Sequence, residues 1–297
     1  MMARMMKRLL LALMVFCAPF DARAAIVVAS KIDTEGALLG NMILLRLQQH
    51  GIAATGRLEL GPTQIVRQAL IAGEIDLYPE YTGNGAFFFH QENDPAWRDP
   101  AQGYERVKAL DARNGLVWLT PAPANNTWAI AVRRDLKLET LEEFAHYVRS
   151  GGQVRLAASA EFVNSPGGLP SFARTYGFGL TSRQLLTLAG GNTAATTRAA
   201  AERISCVNAA MAYGTDGAIS VLGLVALRDD RGAQIVYRPA PVVRAAVVKA
   251  YPSLPAILDP VFRTLTLATL QSLNAKISIE GQDARAVAAR YLETLAK

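Results

Sequence analysis

Four aromatic side chains are the residues in this sequence whose types and positions best suit them to hold a ligand. Each stands at the end of an apolar run or near a chain crossover, and they are Tyr81, Trp128, Tyr213 and Tyr237. Aromatic faces that converge on one point attract a quaternary ammonium group, which cannot donate hydrogen bonds but is drawn to the ring quadrupoles. The residues by themselves also allow the alternative of four unrelated core aromatics.

Support for catalysis or metal binding is much weaker. The sequence has three histidines, His50, His90 and His146. None lies in a two-histidine helical pair or beside a cysteine, and neither a G-x-S-x-G elbow nor a Walker A loop is present. We expect no catalytic residue, no metal and no cofactor. The alternative is a secreted α/β enzyme that uses Asp76, Glu80 or Asp216 as acid or base.

The first 24 residues have the pattern of a secretory signal peptide. Basic residues at positions 4, 7 and 8 precede an apolar run over 9–18, and Ala22-Arg23-Ala24 is a small-x-small cleavage pattern. The apolar run is too short to span a bilayer, which needs about 20 residues. We therefore expect a periplasmic protein that is cleaved after Ala24.

Charge and cysteine content exclude further classes. The formal net charge of +6 falls to +3 without the signal peptide, because that segment holds four basic residues and one acidic residue. The remaining basic residues are dispersed among acids, so we expect no nucleic-acid partner. Cys206 is the one cysteine left in the mature chain, so no intramolecular disulfide supports the fold. We expect a monomer.

Strand-like and helical patterns alternate from the start of the mature chain. Strands are predicted at 26–30, 58–60 and 74–78, with helices over 34–49 and 65–72 between them. A second alternation begins near residue 141. Such alternation is typical of mostly parallel sheets flanked by helices. The sequence therefore predicts an α/β fold with two lobes.

The chain is predicted to cross between these lobes twice. The predicted domains are residues 25–128 for the N-terminal part of lobe 1, 129–240 for lobe 2 and 241–297 for the C-terminal part of lobe 1. Residues 234–237 are predicted as a strand, and the proline-containing segment 239–243 as the return crossover. Helices over 260–270 and 283–297 should pack back on lobe 1.

One segment combines ligand-binding residue types with a strand end. Residues 76–85 contain aromatics, carboxylates and glycines directly after a predicted strand. Ligands of open α/β sheets bind at the carboxyl ends of the strands, although turn residues also follow strands routinely. The segment therefore fits either a binding loop or a plain strand end followed by turn residues.

Several segments together resemble a known family, the substrate-binding proteins of osmoprotectant ABC importers for glycine betaine, choline and carnitine. The resemblance covers essentially the whole mature chain. Its segments are Ala29-Ser30-Lys31 with Thr34-Glu35, residues 73–83, Asn126-Thr127-Trp128-Ala129, Tyr213-Gly214-Thr215-Asp216-Gly217, and Tyr237 before Ala240-Pro241-Val242-Val243.

The resemblance implies a bilobal periplasmic binding protein of type II, with two crossovers, a ligand cleft and closure by hinge motion. Tyr81, Tyr213 and Tyr237 match aromatic-box positions of the family. Trp128 stands where the family usually has Tyr, a change that keeps or strengthens the cation–π face.

Polar positions are carried over from the same resemblance. Lys31 matches the basic residue that helps to hold the ligand's carboxylate, and Asn84 stands where the family usually has Thr. Asn126 occupies the polar position two residues before the box aromatic. The implied partners are a quaternary-ammonium ligand and a membrane permease with its ATPase.

Ser165 marks a departure from the family pattern. Similar proteins carry an Arg near this position, which binds the ligand's carboxylate and bridges the lobes. Loss of such a charge-assisted clamp removes roughly 1.5–3 kcal/mol. We therefore predict weak glycine betaine binding or a preference for another solute such as choline, and the chain looks closest to the low-affinity, stress-associated branch. A sensor module is a further alternative.

Overall fold

The fold was obtained as a computed structural model that describes residues 25–188 and 193–295. The predicted signal peptide and its cleavage site lie outside these residues. Ten strands occur in the described part: β1 (Ile26–Lys31), β2 (Ala54–Gly61), β3 (Leu77–Tyr81), β4 (Leu116–Trp118), β5 (Trp128–Arg133), β6 (Leu156–Ser159), β7 (Leu185–Leu188), β8 (Ala209–Tyr213), β9 (Leu224–Ala226) and β10 (Pro239–Arg244).

Helices connect and flank these strands. In the described residues they are α1 (Thr34–Gln49), α2 (Thr63–Ala72), α3 (Asn84–Phe88), α4 (Pro100–Asp111), α5 (Leu141–Arg149), α6 (Ala160–Asn164), α7 (Leu169–Tyr176), α8 (Thr193–Ala201), α9 (Gly217–Val221), α10 (Ala245–Ala250), α11 (Leu254–Arg263), α12 (Leu267–Ser278) and α13 (Ala284–Leu295). None of these helices is long and apolar enough to cross a bilayer.

The strands form two sheets with the same internal plan. The first has the order β2-β1-β3-β10-β4 and the second the order β7-β6-β8-β5-β9. In the first sheet β10 runs antiparallel to both neighbours, and in the second sheet β5 does so, while the other pairs are parallel. The predicted α/β class with mostly parallel strands is confirmed.

Alternating strand residues supply the cores on both faces of each sheet. In the first sheet Val28 and Leu77 pack with α1, α11, α12 and α13, while Ala29 and Tyr78 pack with α2 and α4 on the opposite face. The second sheet packs against α5 and α7 on one face and against α8 and α9 on the other. We call each sheet with its packed helices a lobe. Successive strand residues point to opposite faces of the sheet, so the helices on its two sides bury residues on both faces.

The chain passes between the lobes at two neighbouring segments, 119–127 and 227–238. The Tyr237 N–H donates to Asn125 Oδ1 at 2.8 Å, and the Asn126 N–H donates to the Tyr237 carbonyl at 2.9 Å. Trp128 already pairs with Tyr213 in the second sheet, while Pro239 pairs with Tyr81 in the first. The predicted lobe limits themselves stay a prediction.

The return crossover lies earlier than predicted. The predicted strand at 234–237 is wrong, because these residues are irregular and hydrogen bond to the other crossover and to Trp97. The predicted crossover 239–243 is instead strand β10. Its prolines are tolerated because the carbonyls of Pro239 and Pro241 point away from β3, toward Ala122 and Leu119, so the ladder with β3 needs no N–H from either proline.

The C-terminal helices also differ from the prediction. The predicted helix at 260–270 is wrong, since α11 ends at Arg263 and α12 begins after Thr266, whose side chain accepts from the Thr269 N–H at 3.1 Å. This N-cap starts a new helix. α12 packs in the first-lobe core and also touches α9 of the second lobe. In addition to the two crossovers, the lobes therefore contact each other through α12 and α9.

Candidate functional site

A cavity of about 900 Å³ lies between the two lobes. Its walls come from both sheets and both crossovers. The structure brings together here all eight residues that the sequence singled out: Lys31, Tyr81, Asn84, Asn126, Trp128, Ser165, Tyr213 and Tyr237.

The aromatic residues reach the cavity from strand ends and from a crossover. Tyr81 ends β3, Trp128 begins β5 and Tyr213 ends β8. Trp128 and Tyr213 lie directly opposite each other in the antiparallel ladder, which places their side chains on the same face of the sheet. The Trp128 ring also makes an edge-to-face contact with Phe162, at 5.6 Å between centroids. Tyr237 reaches the cavity from the return crossover.

Lys31 is already engaged by the protein. Its Nζ forms a buried ion pair with the carboxylate of Glu80, and it lies 4.5 Å from the centroid of the Tyr81 ring. Glu80 also accepts from the Tyr78 hydroxyl at 2.8 Å and from Asn84 Nδ2 at 2.7 Å. Two of the predicted ligand contacts, Lys31 and Asn84, therefore serve the same internal carboxylate in this structure.

Glu35 is a cavity residue to which the sequence analysis gave no role. It sits in the first turn of α1 and is 4% exposed. Its carboxylate accepts from the Tyr81 hydroxyl at 2.8 Å, from Asn126 Nδ2 at 3.2 Å and from Asn274 Nδ2 at 2.7 Å. The Thr34-Glu35 pair was a visible signal, but an acid in the first turn of a helix is usually there for the helix dipole.

Burial sets the electrostatics of this region. It raises the pKa of the Glu35 carboxyl. Hydrogen bonds from Thr215, Asn274 and Tyr81 act in the opposite direction but do not outweigh the effect of burial. Burial also raises the pKa of Asp216, whose carboxylate accepts from the Tyr213 N–H at 2.9 Å. Both acids sit where desolvation disfavours their charge, so an approaching cation would relieve a cost already present.

Ser165 lies just beyond α6 and is half-buried. Its backbone N–H donates to the Glu161 carbonyl at 2.8 Å, which fixes the turn. The other basic residues that line the cavity are Arg98 and Arg174, and both are exposed. The deep part of the cavity therefore has Lys31 as its one basic side chain among the described lining residues.

Metal-ligating residue types are not clustered in the described part of the chain. Among the described residues, no group of three or more His, Cys, Asp and Glu side chains is arranged to hold a metal ion. The remaining cysteine, Cys206, is free and exposed, and it does not line the cavity.

Comparison with known proteins identifies the family. Residues 24–294 match the family described as the substrate-binding domain of the ABC-type glycine betaine transport system, OpuAC. The chain belongs to this family. The expectation raised by the sequence segments is thereby confirmed, together with the bilobal binding-protein fold.

Two curated relatives are more than 30% identical to this chain over nearly its whole length. The OpuAC-family chain is 55% identical over 280 residues to the glycine betaine-binding protein YehZ of Escherichia coli, covering 93% of this chain and 92% of that protein. It is 31% identical over 304 residues to a glycine-betaine-binding protein of Pseudomonas aeruginosa, covering 97% and 94%.

Solved structures agree with the fold. Apo YehZ superimposes with a TM-score of 0.86 over 91% of this chain and 98% of that chain. A crystal structure described as a glycine betaine/carnitine/choline ABC transporter superimposes with a TM-score of 0.79 at 20% identity over 91% and 98%. The homologues of this OpuAC-family chain are binding proteins of transporters.

Proposed function

We propose that this chain is the periplasmic binding component of an ABC importer and that it binds glycine betaine or a related quaternary-ammonium solute in the cavity between its lobes. The observation that carries the proposal is the convergence of four aromatic residues, two of them on strands of the second sheet, on one cavity of about 900 Å³. The family and the names of its relatives agree with this ligand class.

The rings Tyr81, Trp128, Tyr213 and Tyr237 are proposed to surround the ligand's trimethylammonium group. Each cation–π contact contributes roughly 0.5–2 kcal/mol, so a four-ring box supports micromolar to millimolar binding once association costs are subtracted. Asn126 is proposed as a polar contact at the base of the box. Lys31 and Asn84 both donate to Glu80, so only their remaining N–H groups would bind the ligand's carboxylate.

Weak affinity for glycine betaine follows from the polar side of the cavity. Lys31 is paired with Glu80, and Ser165 is too short to replace a bidentate cation. This shortage of carboxylate partners favours choline, which has no carboxylate, as the second candidate ligand. In either case the protein would act as a monomer that delivers its ligand to a membrane permease driven by an ATPase.

Isothermal titration calorimetry of the mature protein tests the ligand class. Glycine betaine, choline, carnitine and proline betaine are titrated separately up to millimolar concentration, with L-proline as a control that lacks a quaternary ammonium. Heat from at least one quaternary ligand and none from proline is expected. No heat from any of the four would contradict the proposal, and turnover of any of them would favour an enzyme.

A further inference from the structure

The charged side chains deep in the cavity differ in what neutralises them. Lys31 is cancelled by Glu80 in a buried ion pair. Glu35 accepts hydrogen bonds from neutral groups of Tyr81, Asn126 and Asn274, and none of the ion pairs among the described residues includes it. Three hydrogen-bond donors face this carboxyl group, an arrangement that favours its ionised form. Glu35 is therefore a buried carboxylate without an ion-pair partner among the described residues.

Asp216 is the other acid in the deep part of the cavity. Its carboxylate is held by the Tyr213 N–H and stabilised by a hydrogen bond from Thr193, so it serves the turn between β8 and α9. Glu161 also lines the cavity, but it is exposed to solvent. Asp216 is partly exposed and Glu161 is exposed, and exposed charges are screened by water and salt. Glu35 is buried, so it is the acid whose field reaches the cavity with the least screening.

Tyr81 transmits this charge to the cavity. Its hydroxyl donates to Glu35 at 2.8 Å, while its ring belongs to the cavity wall. A phenol that donates a hydrogen bond to a carboxylate is polarised by it, and its ring then carries more negative charge. A more negative ring attracts a cation more strongly.

We propose that Glu35 is the counter-charge of the ligand's quaternary ammonium group, acting directly and through the Tyr81 ring, and that it is a specificity-determining residue. The inference rests on the proposed function and deepens it. A negative charge near the box attracts a simple cation such as choline. It attracts the ammonium but repels the carboxylate of a zwitterion such as glycine betaine, so its net effect on a zwitterion is smaller.

Glu35→Gln is a clean way to remove this charge. The side chains are nearly isosteric, and the hydrogen-bond partners can adapt. Asn126 Oδ1 is a buried acceptor without a partner, so rotation of that amide would let it accept from the new Gln amide. The Tyr81 hydroxyl can accept from the same group, and Asn274 Nδ2 can still donate to the Gln oxygen.

Calorimetry at pH 7 and low ionic strength is expected to separate the two ligands. Glu35→Gln should weaken choline by about tenfold or more, because a unit charge a few ångströms from a cation in a partly buried site is worth at least that factor. Glycine betaine should weaken by a smaller factor. Glu293→Gln is the matched control, since it removes an exposed carboxylate on α13 that does not line the cavity, and it should leave both affinities within about twofold.

Thermal unfolding checks that the variant is folded and not merely damaged. Burial raises the pKa of Glu35 in the folded protein, so its ionised form opposes folding above that pKa. Removing the ionisable group is therefore expected to keep or raise the midpoint at pH 7. A supporting role in the fold alone predicts a lower midpoint and an equal loss of both ligands.

The outcomes separate this inference from the proposed function. A wild-type protein that binds no quaternary ligand contradicts the function itself. A wild-type protein that binds glycine betaine but not choline overturns the inference and leaves the function intact. So does a Glu35→Gln variant whose two affinities are unchanged or reduced by the same factor.

Discussion

On the first-lobe wall of the cavity the polar side chains already have partners, whereas the second-lobe wall presents aromatic rings and a short serine. Glu80 gathers Lys31 and Asn84, and Glu35 gathers the Tyr81 hydroxyl. Trp128 and Ser165, across the cavity, belong to the other lobe. The polar side chains of the first wall are held by hydrogen bonds within the protein, whereas the second wall presents mainly aromatic surface.

This difference assigns separate roles to the two walls. A wall whose hydrogen bonds are already made loses little entropy on binding, because its side chains are ordered in advance. A wall of aromatic rings adds attraction without demanding a particular polar partner. Substitutions of Lys31, Glu80 or Asn84 should therefore act mainly on stability, and substitutions on the second wall mainly on affinity and on the choice of ligand. Glu35, which no ion pair among the described residues includes, is the first-wall residue expected to act on the choice of ligand.

Lys31→Met is the strongest test of this division. It leaves the fully buried Glu80 without its ion-pair partner, and breaking a buried pair destabilises a protein by about 3–5 kcal/mol. Urea unfolding should show that loss. Adding Glu80→Gln should recover most of it, because the uncompensated charge is then gone. The division breaks if Lys31→Met keeps wild-type stability yet abolishes glycine betaine binding.

The relation between sequence and structure also differs between the walls. The positions of Tyr81, Trp128 and Tyr213 at one cavity could be predicted because strand ends are visible as local patterns. The Lys31–Glu80 pair joins residues 49 positions apart. Only the parallel alignment of β1 with β3 makes it, and no local pattern encodes which charges that alignment will bring together.

The predicted strand at 234–237 failed for a related reason. Its apolar residues look like a strand, but they bond to the opposite crossover and to Trp97 rather than to a ladder. Tertiary partners decide such segments, since strand preference depends strongly on context. Glu35 was missed because its partner Asn274 lies 239 positions away, on α12.

Ser165→Arg should produce the next largest effect, on the second wall. A charge-assisted contact with a carboxylate contributes roughly 1.5–3 kcal/mol, so we expect glycine betaine to bind about ten- to a hundredfold more tightly. Choline should not respond to the new cation in this way. Ser165→Gln, which adds length without charge, is the control, and an equal gain for both ligands in calorimetry would contradict the reasoning.

Trp128→Ala should weaken every quaternary-ammonium ligand. The loss of one cation–π face is worth about two- to thirtyfold in affinity. Trp128→Tyr, which keeps an aromatic face, should restore most of the binding. For choline the alanine variant should lose far more affinity than Lys31→Ala. Comparable losses of choline affinity would contradict this order. Comparable losses of glycine betaine affinity would indicate a direct role for the lysine at the ligand's carboxylate.

Gln271→Ala should have the smallest effect, and it acts between the walls. Gln271 Nε2 on α12 donates to the Gly214 carbonyl of the second lobe at 2.7 Å. Removing one such bond costs roughly 0.5–1.5 kcal/mol and should favour separated lobes. Small-angle X-ray scattering of the ligand-free variant should show a larger radius of gyration. Ser272→Ala, an exposed change on the same helix, should not.

Close beside that bond, the backbones of α9 and α12 nearly touch. A Cβ atom built on Gly217 would lie 2.2 Å from the backbone nitrogen of Ala275, and because the obstacle is main chain, no side-chain rotation would relieve it. The glycine is needed for the fit between two separately packed halves. A single added methyl group there would force α9 and α12 apart. The absence of a Cβ atom at Gly217 therefore determines how closely the two lobes can approach each other around the cavity.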